Sequence, residues 1–182
     1  LSATANWTAE PNQANAYFGA SVATAGDVNG DGYSDVVIGA YAYDNSQTDE
    51  GRAFVYHGSA SGLSAGASWS SGSGQYGAYF GYSVAPAGDV NGDGFSDLIV
   101  GAPNFSNGQS NEGRAFVYHG SASGLSAPAD WTAESNQADS YYGRAAATAG
   151  DVNGDGYSDV IVGAFTYDHG QTAEGRALAY HG

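Results

Sequence analysis

The chain has 182 residues and a formal net charge of −15, with 19 acidic residues against four arginines and no lysine. Because proteins bind phosphate backbones through Lys and Arg, this charge excludes nucleic acid as an expected partner and favours cations. The chain has no cysteine for disulfide or thiolate chemistry, and no apolar run approaches the roughly 20 residues that span a bilayer, so membrane insertion is not expected.

A repeat of 62 residues organises the chain. Trp7, Trp69 and Trp131 have this spacing, and the glycines, aspartates and arginines that follow each tryptophan keep it without insertions. The copies are alike enough to be recent duplicates or designed. The 29 glycines and the short apolar runs between them predict short strands joined by tight turns, and therefore an all-β chain.

The predicted elements follow one another as short strands. Residues 1–10 are an outer strand without a blade of their own, and the first strand of the repeat runs from about 17 to 25. The apolar run 35–39 is too short for a helix and suits a strand buried on both faces. Strands over 51–58 and 67–70 complete the unit. Four antiparallel strands in tandem predict a β-propeller blade, since a parallel β-helix would have a shorter period.

The loop between the first and second strands has the pattern Asp-x-Asn-x-Asp-Gly-x-x-Asp in every copy. In a curled loop, positions 1, 3 and 5 turn oxygen side chains inward, position 7 offers its carbonyl, and the position 9 carboxylate closes the site. Hard oxygen ligands without Cys or His favour Ca²⁺ over zinc or copper. The alternative is a plain hairpin turn. We expect three calcium ions per chain, with the ligands Asp27, Asn29, Asp31, Tyr33 and Asp35; Asp89, Asn91, Asp93, Phe95 and Asp97; and Asp151, Asn153, Asp155, Tyr157 and Asp159.

Two further motifs flank each loop, and with it they resemble the FG-GAP repeats of integrin α-subunit propellers and their bacterial relatives. The motifs are Phe18-Gly19, Phe80-Gly81 and the altered Tyr142-Gly143, then Gly39-Ala40-Tyr41, Gly101-Ala102-Pro103 and Gly163-Ala164-Phe165. The resemblance covers nearly the whole chain. It implies a calcium-binding propeller that acts as an adhesion or protein-interaction scaffold outside the cell or at its surface.

No catalytic set stands out from the repeat, so no enzymatic activity is expected. His57, His119 and His181 recur at the end of the third strand, which favours a structural role. The loops after the second strand differ between copies and are candidates for partner binding. Their aromatic and polar residues suit either packing between blades or a lectin site for glycans: Tyr41, Tyr43, Asp44, Asn104, Phe105, Tyr167 and Asp168.

Three blades are expected at 11–72, 73–134 and 135–182, the last without its outer strand. Because propellers need four to eight blades, the ring requires more than this chain supplies. We expect a two-fold homodimer in which the strand 1–10 of each copy completes the last blade of the other, giving six blades. The alternative is a fragment of a longer propeller, seven-bladed as the resemblance implies.

Overall fold

The computed structural model describes all residues 1–182, and every element in it is a β-strand. The prediction of an all-β chain is confirmed, and the structure has no helix that is long and apolar enough to cross a membrane. The strands are β1 (Phe18–Gly26), β2 (Asp35–Ala40), β3 (Arg52–Tyr56), β4 (Trp69–Gly72), β5 (Ser83–Gly88), β6 (Asp97–Ala102), β7 (Arg114–Tyr118), β8 (Trp131–Glu134), β9 (Tyr142–Gly150), β10 (Asp159–Ala164) and β11 (Arg176–Tyr180).

The strands form three antiparallel meanders. Two sheets have four strands, in the orders β1-β2-β3-β4 and β5-β6-β7-β8, and the third has only β9, β10 and β11. The register repeats from sheet to sheet, since Val36 pairs with Tyr56 in the first, Leu98 with Tyr118 in the second, and Val160 with Tyr180 in the third. These sheets are blades of a propeller-like fold, as the repeat predicted.

The ends of the predicted outer strands shift by two residues. The fourth strand begins at Trp69 instead of residue 67 and ends at Gly72, although the Ser68 N–H still donates to the Val55 carbonyl of β3 at 2.8 Å. Residues 1–17 contain no strand in the single chain. They pair with no strand of the three sheets, and a segment without a paired neighbour leaves its backbone groups to water.

The core lies between the blades. One apolar cluster joins Val37 and Val55 of the first blade to Leu98 and Val100 of the second, and a separate cluster joins the second blade to the third. The second strand of the middle blade, β6, is a run of apolar residues that is buried throughout, because this blade has a neighbour on each face. The outer faces of the first and third blades have no such neighbour.

Blades approach one another so closely that only glycine fits at one position of the second strand. A Cβ on Gly39 would lie 2.0 Å from the carbonyl oxygen of Gly81, and one on Gly101 would lie 1.8 Å from that of Gly143. The equivalent Gly163 of the third blade meets nothing nearer than Ala145 at 3.8 Å. The glycine requirement therefore belongs to the interface and not to the blade itself.

Each outer-strand tryptophan packs against the blade that follows it. Trp69 lies edge-on to Tyr118 with ring centroids 4.8 Å apart, and its indole N–H donates to the Ser126 carbonyl at 3.0 Å. Trp7 makes the same pair of contacts with Tyr56, at 4.9 Å, and with Ser64, at 3.0 Å. Residues around Trp7 thus sit against the first blade as β4 sits against the second.

Candidate calcium-binding loops

The three acidic loops connect the first and second strands of successive blades. A sharp reversal in each depends on two glycines with positive φ, which in the first loop are Gly30 at 72° and Gly32 at 89°. Only glycine adopts these angles without strain, so the chain can curl and return as β2 within nine residues. The fold therefore places each set of predicted ligands within one loop.

Backbone N–H groups orient the oxygen side chains of the first loop. The Asp27 carboxylate accepts from the N–H groups of Asp31 at 3.1 Å and Gly32 at 2.8 Å. Asn29 Oδ1 accepts from the Asp31 N–H at 3.1 Å, and Asp31 Oδ1 accepts from the Tyr33 N–H at 2.9 Å. An oxygen that accepts one N–H keeps a second lone pair. These bonds therefore orient the side chains and leave lone pairs on their oxygens that could bind an ion.

The other two loops repeat this network. In the second loop, Asp89 accepts from Asp93 and Gly94, Asn91 accepts from Asp93, and Asp93 accepts from Phe95. The third loop does the same with Asp151, Asn153, Asp155 and Tyr157. The hydrogen bonds that Asp155 accepts from the Tyr157 N–H and the Asn153 amide hold its pKa below the ordinary value.

The aspartate at position 9 ties its loop to the end of the third strand. Asp35 is fully buried and accepts from the Val28 N–H at 2.9 Å and the Gly58 N–H at 2.8 Å. Burial raises the pKa of the equivalent Asp97, against the opposing effect of its two backbone N–H donors. The bonds recur in every copy. The role of these residues as closing ligands stays a prediction.

Carboxylates alone do not form a metal site here. No group of three or more Asp, Glu and His side chains is arranged to hold an ion. The predicted ligand set of each loop also includes an Asn amide and a backbone carbonyl, which together with the Asp residues make an all-oxygen set of the kind calcium takes. In chemical type, the donors fit calcium.

Successive loops are in direct contact, although the loops were predicted as three separate sites. The Ser96 N–H donates to the Asp27 carbonyl at 3.0 Å, and the Asp27 N–H donates to Ser96 Oγ at 3.2 Å. The Phe95 ring covers Gly30, where a Cβ would lie 2.5 Å from the ring. Tyr157 covers Gly92 in the same way. The serine and the aromatic ring recur at positions 8 and 7 of every loop, and that recurrence was the available signal.

A histidine also touches the loops at two places. His57 Nδ1 lies 3.3 Å from the Asn29 amide nitrogen, and His181 Nδ1 lies 2.6 Å from that of Asn153. A histidine with its proton on Nε2 accepts these amide N–H groups and turns the Asn oxygen toward the loop. The contacts agree with the structural role predicted for the repeated histidines.

The aromatic residues predicted for partner binding are packed side chains. Tyr41 lies among other tyrosines, stacked on Tyr17 with centroids 5.1 Å apart, and burial raises its pKa. The other three each lie against an arginine of the third strand: Tyr43 near Arg52 at 5.7 Å, Phe105 near Arg114 at 4.2 Å and Tyr167 near Arg176 at 5.2 Å. These distances suit cation–π contacts.

The polar members of that set lie in the loops after the second strand of each blade. Asp44 and Asp168 exchange backbone hydrogen bonds with the side chains of Gln13 and Gln137. Asn104 lines a polar groove between the first and second blades. The seven residues are spread over three blades, and the structure does not bring them into one site.

A buried glutamate lies in each of the first two blades, and neither was predicted as a site residue. Glu50 accepts from the N–H groups of Ser46 and Gln47, and Glu112 accepts from those of Asn107 and Gln109. Through these bonds, each buried carboxylate fixes the backbone of the variable loop that precedes it. Their signal was the Glu-Gly-Arg sequence that occurs in all three copies.

Comparison with known proteins agrees with this geometry. The model of the FG-GAP repeat matches residues 18–56, 80–118 and 142–180. Integrin alpha-V of Gallus gallus is 37% identical over 180 residues, 92% of this chain and 16% of the relative. Integrin alpha-4 of Xenopus laevis is 35% identical over 156 residues, 84% of this chain and 15% of the relative. The chain thus spans about a sixth of the length of these relatives, and it belongs to the FG-GAP repeat family.

Proposed function

We propose that this protein is a calcium-stabilised, non-enzymatic propeller that serves as an adhesion or protein-interaction scaffold outside the cell or at its surface. The observation that carries this proposal is the same oxygen-lined loop at the same hairpin of three successive FG-GAP repeats. Its similarity to integrin alpha subunits supports the scaffold role. Calcium acts here as a structural ion, because the loops of neighbouring blades lie against one another.

Calcium binding to the folded chain predicts a stability that depends on the free ion. With free calcium at ten times the dissociation constant, each site contributes about 1.4 kcal/mol, and the three together about 4 kcal/mol. Chelation should therefore lower the melting temperature. The triple variant Asp31→Ala, Asp93→Ala, Asp155→Ala should remove the difference, whereas Glu174→Ala, which deletes an exposed carboxylate outside the loops, should keep it. Identical melting curves with and without chelator would refute the calcium proposal.

The two outer faces of the chain support closure of the ring by a second copy. On the first blade, Val22 is 66% exposed, although the equivalent Val84 is buried against a neighbouring blade. On the third blade, Ile161 is 39% exposed, although the equivalent Ile99 is fully buried. The face of the third blade is therefore one half of an interface that the chain already makes twice, and the face of the first blade is the other half.

A homodimer joins these faces twice and has six blades, the one multiple of three within the usual range of four to eight. The interface is head-to-tail, and a two-fold ring leaves no face open. Light scattering tests this directly. A monodisperse mass of twice 18.4 kDa is expected, while a monomer or a polydisperse aggregate would contradict the six-bladed ring.

A groove between the first and second blades favours a lectin as the second candidate function. Tyr76, Tyr79, Asn104 and Asp49 line a groove of about 420 Å³. Tyr76 is 71% exposed, so its ring is free to stack on a sugar, and amide and carboxylate groups lie close by for the sugar hydroxyls. A glycan array in calcium should then show saccharide binding that Tyr76→Ala abolishes, and a blank array would leave the scaffold role alone.

A further inference from the structure

One tetrapeptide occurs twice in this chain with two different structures. Residues 131–134 read Trp-Thr-Ala-Glu and form β8, which pairs with β7. Residues 7–10 have the same sequence but form no strand and pair with no sheet in the single chain. At the other end of the row of blades, β11 pairs only with β10, and its outer edge is open. Residues 7–10 thus have the sequence of a fourth strand but pair with no sheet, and β11 has an open edge where a fourth strand would pair.

A cavity lies next to that open edge. It has a volume of about 280 Å³, and its apolar lining comes from the second and third blades: Val90, Val117, Trp131, Val160 and Tyr180. Between the first and second blades, the equivalent residues pack around Leu125, which is buried: Val28, Val55, Trp69, Leu98 and Tyr118. The repeat aligns Leu125 with Leu63 and Leu1, and Leu1 is fully exposed.

A polar group beside the cavity lacks the hydrogen bond that its counterparts in the other copies make. The indole N–H groups of Trp7 and Trp69 donate to serine carbonyls, whereas that of Trp131 makes no equivalent bond. The serine that the repeat places opposite Trp131 is Ser2.

An ion pair is likewise repeated only in part. Arg114 and Glu134 form a pair at 2.7 Å across β7 and β8. The repeat matches them with Arg176 and Glu10, which are exposed and belong to no ion pair in the single chain. The charges at the open edge and on residues 7–10 are therefore complementary.

We propose that the open edge of β11 and the adjoining cavity form a docking site for residues 1–10 of a second copy of this chain. Residues 7–10 add the fourth strand to the third blade, with Ala9 opposite Ala177 and Glu10 opposite Arg176. Leu1 fills the cavity. The inference deepens the proposed six-bladed ring and rests on it.

The segment comes from a second copy because its own chain holds it elsewhere. Trp7 is fixed to the first blade by Tyr56 and Ser64, and the apolar clusters join the first blade to the second and the second to the third, with none between the first and third. In the ring, the first blade of one copy lies against the third blade of the other. Because residues 1–10 already contact the first blade of their own chain, they would reach the open edge of β11 when the outer face of that blade packs against the third blade of the other copy.

A cysteine pair tests the register, and the chain has no cysteine of its own to interfere. Directly opposed residues in antiparallel strands have Cα atoms about 4.5–5.5 Å apart, within the range of disulfides. Oxidation of the variant Ala9→Cys, Ala177→Cys should give a covalent dimer. The control variant Thr8→Cys, Ala177→Cys should form no disulfide under the same oxidation and should run as a monomer on a non-reducing gel, because neighbouring residues of a strand point to opposite faces.

The outcomes separate this inference from the ring itself. Free thiols in a particle with the mass of a dimer would overturn the docked strand and leave the ring intact. Free thiols in a monomer would overturn both, and a disulfide within one chain would show that the segment pairs with β11 of its own chain.

Charge reversal gives a second test that does not depend on oxidation. Glu10→Arg should raise the dimer dissociation constant about tenfold, and adding Arg176→Glu should restore it; failure of that restoration would overturn the pairing.

Discussion

Replacing Gly163 by alanine should separate the stability of the blade from the closure of the ring. The φ of Gly163 lies outside the left-handed region, and its nearest neighbour would be Ala145 at 3.8 Å, so the single chain accommodates the methyl group. Alanine is also the better strand residue, by about 0.5–1 kcal/mol. The melting temperature of the monomer should therefore stay constant or rise slightly.

The dimer should respond in the opposite direction. By the repeat, the new methyl group would meet the Gly19 carbonyl of the second copy as a Cβ on Gly101 would meet that of Gly143, at 1.8 Å. Overpacking of this kind costs about 1–3 kcal/mol, and the two-fold ring has two such contacts. A total of about 2–6 kcal/mol raises the dimer dissociation constant between about 30-fold and about 10⁴-fold.

Sedimentation equilibrium over a concentration series measures this change. Gly66→Ala is the matched control, because a Cβ there meets nothing within 4 Å and its φ is also outside the left-handed region. The control should dimerise as the parent does. A Gly163→Ala chain that dimerises with the dissociation constant of the parent would refute the head-to-tail interface.

Three further substitutions probe contacts within the chain. Trp69→Phe keeps an aromatic ring but loses the bond to Ser126, so chemical denaturation should show a loss of about 1 kcal/mol, and no loss would mean that the bond is dispensable. Glu134→Gln removes the charge facing Arg114 and should cost up to about 1 kcal/mol in low salt and less in high salt; a salt-independent loss would point to packing instead. Burial opposes ionisation of Asp130, but hydrogen bonds from Ser126 and a backbone N–H outweigh it and lower its pKa. That stabilisation is present above the unfolded pKa of about 3.9 and lost as the pH falls through the folded value, so Asp130→Asn should flatten the acid limb of a stability profile, and an unchanged limb would contradict it.

Local pattern was enough to predict the strands and the loops. The residues from Val36 to Ala40 are a short apolar run, and its length and flanking turns identify it as a strand. The paired glycines in the acidic loops mark the reversal of the chain. Both features depend on residues close together in sequence, which is why the repeat revealed them.

Contacts between residues that are far apart in the chain could not be predicted from the local sequence pattern. Asp35 was predicted only as an ion ligand, yet it holds the Gly58 N–H, 23 residues away. Phe105 was a candidate for sugar stacking until its position against Arg114 placed it in the blade. The structure of residues 7–10 depends on whether an edge lies beside them, and a sequence identical to that of β8 carries no information about its neighbours.

The covering of one acidic loop by the next makes the three loops unequal in a single chain. Phe95 covers Gly30 and Tyr157 covers Gly92, but nothing lies within 4 Å of a Cβ on Gly154. An isolated chain therefore has two sheltered loops and one bare loop, and calcium titration should resolve two classes of site. In a closed ring, Tyr33 of the other copy would cover the third loop, and the classes would merge. The shape of a calcium isotherm would thus report the closure of the ring, without any measurement of mass.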